Sequence, residues 1–220
     1  MLESHDNQTK RIILASVSPR RRKIFADAGY AFETADPGDV EELVTGFALP
    51  ERLAIEKARA KALAVAERLG PPYPALVVGA DTLVAAQGKV IGKPLDRADA
   101  AAILSGLSGT RHCVVSGVCV ILADGTGSAT KKTLLLEFAE PTWVTMRKMS
   151  AAEIAAYVDS GQSDGKAGAY AIQENGDKFV EKLEGSFLNV VGFPLERFQA
   201  ELPAALKSWN VGRRVHEQSG

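Results

Sequence analysis

The chain has 220 residues, 46% of them apolar, which is enough for one sizeable core and does not require two domains. Its 26 basic and 27 acidic residues nearly cancel, so the global basic footprint of a nucleic-acid binder is absent and any cation must act locally. The first ten residues are polar, and nowhere do about 18 apolar residues run together, which predicts a cytoplasmic protein, neither secreted nor membrane-spanning.

In chain order, Arg11–Ala15 reads as a buried strand, residues 19–28 as a helix and residues 30–35 as an extended piece, followed by an Asp36-Pro37-Gly38-Asp39 turn. Residues 49–69 form a long Ala-rich helix that Gly70-Pro71-Pro72 stops. Ala75–Ala86 and Lys89–Ile91 read as strands around Gln87-Gly88, and Asp96 caps a helix running to Leu107. A long hairpin is expected over residues 113–123 and 133–146, turning at Asp124-Gly125-Thr126-Gly127. Ser150 starts a helix to about Ser160; strands around residues 169–173 and 178–183 and a helix over 194–206 complete the set. Strand–helix alternation mixed with hairpins implies an α/β fold, a mixed curved sheet flanked by helices. It forms a single domain over residues 11–206, with polar tails at 1–10 and 210–220. Cys113 and Cys119, at even spacing on one strand, read as buried core residues of a reducing compartment.

The strongest chemical signal is Ser16-Val17-Ser18-Pro19-Arg20-Arg21-Arg22. Ser18 reads as an N-cap and Pro19 as the first helical residue, so three arginines fall in the first turn, where the helix dipole disfavours each cation by roughly 0.3–1 kcal/mol. That placement makes sense around a multiply charged anion such as a phosphate chain; a solvated basic helix start is the alternative. Asp81 interrupts an apolar strand and is either a metal ligand or general base, or a turn residue capping its own backbone. Glu41 and Glu42 lie in an acidic loop that offers a hard oxygen ligand for magnesium or a solvated face. Lys57 and Lys61, one turn apart, either splay into water or share an anion, whereas Lys93 is aimed by a rigid Gly-Lys-Pro loop. The glycine loop around Lys166 matches neither a P-loop nor a dinucleotide fingerprint, and Gln173 carries an amide able to read a base edge. His112 reads as a hydrogen-bonded structural residue.

Seven segments, taken in order, resemble the motifs of the Maf family, nucleoside triphosphate pyrophosphatases once called septum formation inhibitors. They are Ser16-Val17-Ser18-Pro19-Arg20-Arg21, Glu56-Lys57-Ala58, Gly79-Ala80-Asp81-Thr82, Gly92-Lys93-Pro94, Leu107-Ser108-Gly109, the stretch from Gly165 to Gln173 and the stretch from Gly185 to Pro194. The resemblance implies a two-lobed α/β fold with a central cleft, related to the inosine triphosphate pyrophosphatases and often homodimeric. It implies metal-dependent hydrolysis, with Mg or Mn, between the α- and β-phosphates of a nucleoside triphosphate substrate. By the same resemblance Ser16, Arg20, Arg21, Lys57 and Lys93 hold phosphates, Asp81 accepts the proton, and Glu42 with Asp81 binds the metal; Glu41 is the alternative to Glu42. Arg20, Thr82 and Gln173 match the branch acting on dTTP and UTP, and Thr82 and Gln173 are therefore expected to contact substrate. The chain departs from the family pattern in a third arginine, Arg22, in an N-terminal extension, and in Glu174 where Gly is common. The rival expectation is a non-catalytic nucleotide-binding regulator of cell division.

Overall fold

The structure is a computed structural model that describes residues 11–72, 74–126 and 129–217. Seven strands, β1 (Arg11–Ala15), β2 (Glu33–Ala35), β3 (Ala75–Ala86), β4 (Lys89–Ile91), β5 (Arg111–Thr126), β6 (Ala129–Met146) and β7 (Val180–Glu184), form one mixed sheet in the order β2-β1-β3-β5-β6-β7, with β4 paired to β3. β1 lies parallel to β2 and β3, and the other pairings are antiparallel. The central strand β3 alternates its side chains between two buried faces, which is why it reads as an almost continuous apolar run.

One face is covered by α2 (Pro50–Arg68) and the other by α1 (Pro19–Asp27), α3 (Arg97–Leu107), α4 (Ala151–Asp159) and α6 (Leu195–Glu217), with the short α5 (Phe187–Val191) beside them. Ala54, Ala58 and Ala62 repeat every four residues along α2 and are fully buried, so the helix backbone presses close to the sheet. The sheet accepts it through glycines. A Cβ at Gly79 would stand 2.2 Å from the Ala58 carbonyl oxygen, and one at Gly117 would stand 2.1 Å from the Ala54 carbonyl carbon. The opposite face holds the larger core, where the rings of Phe25, Phe193 and Phe198 pack edge-on or tilted at centroid distances of 4.8–5.8 Å.

Local chemistry sets most element starts. Pro19 opens α1, Asp96 accepts from the Asp99 amide to cap α3, and Ser150 with Glu153 forms a reciprocal capping box on α4. Three expectations are corrected. Residues 169–173 are not a strand, because Gly168, Ala169 and Asn175 adopt positive φ and the Glu174 and Gly176 amides both fold back to the Ala171 carbonyl, giving helical turns instead of a ladder. The arms of the long hairpin run further than expected: Asp124, Gly125 and Thr126 pair with Lys131, Thr130 and Ala129, and the turn residue Gly127 lies outside the described residues, as does the tail at 1–10. Finally, α6 passes Trp209 and continues to Glu217, its i→i+4 bonding carrying through a segment without an internal proline after Pro203.

Candidate active site

The sheet opens where its parallel pair ends. β1 stops at Ala15, opposite Gly79, whereas β3 continues, so Asp81 and Thr82 stand beside the loop Ser16–Ser18 instead of beside a strand. A crevice beyond the carboxyl end of a parallel strand is where open α/β sheets take ligands. Here it is a cleft of about 660 Å³, walled by residues 16–21, the loop around Asp39, β3, Lys93, the segment 164–174 and residues 190–192.

Three groups meet on the α2 side of β3. Asp81 faces α2 because odd-numbered residues of β3 point that way, and the close helix–sheet approach brings Lys61 to it, Nζ to Oδ1 at 2.7 Å. The same ammonium lies 3.0 Å from Glu41 Oε1. Lys61 and Asp81 are 6% and 8% exposed, so the pair is largely shielded from water and is strengthened accordingly. For Glu41, burial is the largest influence and favours the neutral acid, but its own backbone amide, Lys61 and Lys93 together outweigh it and hold the carboxyl below its usual range. Its second oxygen, Oε2, is buried and has no hydrogen-bond partner.

Arg21 organises the other side of β3. Its Nε donates to the Gly192 carbonyl at 2.9 Å, Nη1 to Ser16 Oγ at 3.3 Å and Nη2 to Thr82 Oγ1 at 3.1 Å. Burial is the main influence on this guanidinium and lowers its pKa, and nearby Arg20 acts in the same direction against Asp81 and Glu41. Ser16 Oγ also accepts from the Ser18 amide, and Thr82 Oγ1 contacts Ser116 Oγ at 2.8 Å and the Gly192 carbonyl at 3.2 Å. Ser18 makes no side-chain cap, which leaves the helix-start amides of α1 uncapped by their own N-terminal residue. Arg20 lines the cleft and forms no ion pair among the described residues; Arg22 is exposed and outside it.

Most residues expected at the site are therefore brought together: Ser16, Arg20, Arg21, Asp81, Thr82 and Lys93 all line one cleft. Three are not. Glu42 is exposed and Glu41 takes the inward position, because the turn Val40–Leu43 is a 3-10 helix whose neighbouring side chains diverge by about 120°. Lys57 sits one helical turn, about 6 Å, toward the start of α2 and does not line the cleft, whereas Lys61 does. Gln173 is exposed while its neighbours Ile172 and Glu174 face the cleft. The two glutamates stand as alternatives in the sequence, whereas Lys61 is visible there only as the i+4 neighbour of Lys57; which of each pair lines the cleft depends on the helix phase. Lys166 and Glu174, an ion pair at 3.1 Å on the cleft wall, had no sequence signal beyond the glycines around them.

The donor set suits a hard divalent cation in one respect: Glu41 Oε2 is an unpartnered buried oxygen close to the Asp81 carboxylate through their shared lysine. Among the described residues no cluster of three or more His, Cys, Asp or Glu encloses a metal, so any such ion takes further oxygens from phosphate and water.

The family model described as Maf-like protein matches residues 11–205. The chain is 43% identical to the dTTP/UTP pyrophosphatase of Pelotomaculum thermopropionicum over 86% of this chain and 93% of that protein. It is 38% identical to the dTTP/UTP pyrophosphatase of Caldicellulosiruptor saccharolyticus over 88% of this chain and 94% of that protein. A human relative, the probable bifunctional dTTP/UTP pyrophosphatase/methyltransferase protein, is 42% identical over 88% of this chain, which spans only 32% of the human protein's length. Since the match runs from β1 into α6 and takes in every wall of the cleft, the chain belongs to the Maf family.

Proposed function

We propose that the protein hydrolyses the α–β phosphoanhydride of dTTP and UTP, releasing the nucleoside monophosphate and pyrophosphate. The observation that carries this reading is the gathering of Arg20, Lys61 and Lys93 around Asp81 in a single cleft large enough for a nucleoside triphosphate, together with relatives named for that activity. Anhydride hydrolysis needs a water held in line, a proton acceptor, and fixed positive charge for the leaving pyrophosphate. Asp81 is the acceptor: Lys61 holds its Oδ1, leaving Oδ2 to take the proton from water as oxygen attacks phosphorus and the anhydride oxygen departs with its electron pair. Arg20 and Lys93 receive the phosphates, and Ser16, Thr82 and Gly192 hold the Arg21 fork that shapes the α1 side of the site. Glu41 and Asp81 are the residues that would hold magnesium or manganese, which when bound neutralises charge on the phosphate oxygens.

The two cysteines are free and buried, which supports a reducing cytoplasmic setting; no helix among the described residues is long and apolar enough to cross a membrane. The test is pyrophosphate release by purified protein with Mg or Mn from a panel of nucleotides. Release from dTTP and UTP, abolished by Asp81→Asn with nucleotide binding retained, is expected. Orthophosphate alone, or no product from any triphosphate, overturns the reading, and binding without turnover in the parent leaves the regulator in its place.

A further inference from the structure

The cleft changes character along the sheet. On the face that carries Thr82 and Ser116, which are cross-strand partners, the next pair is Val84 and Val114, about 7 Å further along. Tyr170, Ile172 and Val190 close around this apolar end, opposite in character to the end holding Ser16, Arg20, Lys61 and Lys93. A nucleotide with its phosphates among the cations lays its base against the valines.

Lys166 and Glu174 are polar groups on the wall of the same cleft. We propose that this ion pair reads the imide edge of an oxo-pyrimidine, Lys166 donating to the ring carbonyl O4 and Glu174 accepting from N3–H; the inference rests on the nucleotide reading above. Lys166 Nζ lies 3.1 Å from Glu174 Oε2, so a donor and an acceptor are presented side by side, and Glu174 Oε1 takes no hydrogen bond from the described residues. The lysine side chain is 15% exposed and the glutamate 41%, which leaves both accessible to a ligand in the cleft. Gln173, the other base-reading candidate, is exposed and does not line the cleft.

Both partners stand on braced backbone. The Gly168 amide donates to the Gly92 carbonyl at 3.2 Å, and a Cβ at Gly168 would stand 3.0 Å from Val84 Cγ2, so the loop carrying Lys166 lies flat on the apolar wall. The Glu174 and Gly176 amides both donate to Ala171 O at 3.1 Å, and the Ala171 amide donates to Tyr157 Oη at 3.1 Å. Tyr170, between them, is held by His112 Nε2 at 2.8 Å. The pair is therefore positioned before a base arrives.

The chemistry discriminates. Uracil and thymine present an acceptor at O4 and a donor at N3, matching lysine and glutamate in order. Cytosine presents the reverse, an amino donor and a bare ring nitrogen, and meets like polarity at both positions. The pair also neutralises Lys166, so phosphates are drawn to the other end of the cleft.

The experiment compares UTP, CTP and 3-methyl-UTP, whose N3 carries a methyl group in place of hydrogen, with the parent and Glu174→Ala. In the parent, kcat/KM for UTP should exceed that for either analogue by about tenfold or more. In Glu174→Ala the UTP advantage over 3-methyl-UTP should collapse to within about threefold, chiefly through KM, whereas general damage lowers all three substrates alike and leaves the ratio standing. An unchanged ratio overturns the proposal. Calorimetric Kd values for the three corresponding monophosphates separate this claim from the catalytic one. Discrimination in binding that is lost in Glu174→Ala supports base reading even if no substrate is hydrolysed; binding that fails to discriminate, or no binding, overturns it even if hydrolysis is found.

Discussion

Lys61 and Arg21 are two buried cations doing different work. Lys61 bridges two carboxylates, Asp81 and Glu41, so removing it leaves two negative groups facing each other without the ammonium that lies between them. Arg21 turns each of its three guanidinium nitrogens to protein: a carbonyl, a serine and a threonine from three separated segments. The charge logic that puts arginines beside an anion at a helix start therefore applies in full to Arg20, whereas Arg21 is equally a strut between α1, β3 and the Gly192 loop. For the lysines the expected outcome is sharp. Lys61→Met should cost about a hundredfold or more in kcat/KM. Lys57→Met, one turn away and outside the cleft, should stay within about threefold, as a pyrophosphate-release assay on the two variants will read. The reverse order would return the phosphate contact to Lys57.

At the scale of elements, the distance between α2 and the sheet decides whether the site exists. The Ala54, Ala58 and Ala62 stripe and the missing side chains of Gly79 and Gly117 set that distance, and Lys61 reaches Asp81 only because of it. Gly79→Ala and Gly117→Ala place a methyl group within 2.2 Å of α2 backbone atoms, which cannot rotate away as a side chain would. Each should destabilise the fold by about 3 kcal/mol and lower activity beyond the loss of folded protein, since α2 must move outward. Gly106→Ala is the control: it lies inside α3 with nothing within 4 Å of the added Cβ and should raise stability by about 0.5–1 kcal/mol. Chemical denaturation of the three variants, with activity per folded molecule, checks the set. A neutral Gly79→Ala would mean that α2 is not held where the site needs it.

For the whole molecule, one buried group ties stability to pH. His112 is fully buried against Tyr170, its Nδ1 has no hydrogen-bond partner, and burial lowers its pKa from 6.5 to about 4. Below pH 6.5 the unfolded chain binds a proton at this position that the folded chain refuses, so stability falls as pH drops through that value and the loss is complete near pH 4. The loss attributable to this residue is about 3 kcal/mol. Denaturant unfolding at pH 7 and at pH 4.5 should show it in the parent, and His112→Gln, which cannot titrate, should lose that part of the slope. An identical pH dependence in the two proteins would remove His112 as its source.

Signals that act within a few residues were legible without the fold: the Ser18-Pro19 helix start, the Asp96 cap, the Ser150–Glu153 box and the apolar alternation of β3 and β5. Ser16, Arg20, Asp81 and Lys93 could be singled out in the sequence because each stands at the end or break of an element whose local pattern is strong, and the structure places all four on one cleft. Which of Lys57 and Lys61, of Glu41 and Glu42, and of Gln173 and Glu174 lines the cleft is visible only in the tertiary structure. Neighbours one residue or one turn apart carry the same local propensity, and they are told apart by helix phase, by the turn that positive φ imposes around residues 168–175, and by how closely α2 may approach two glycines contributed by different strands.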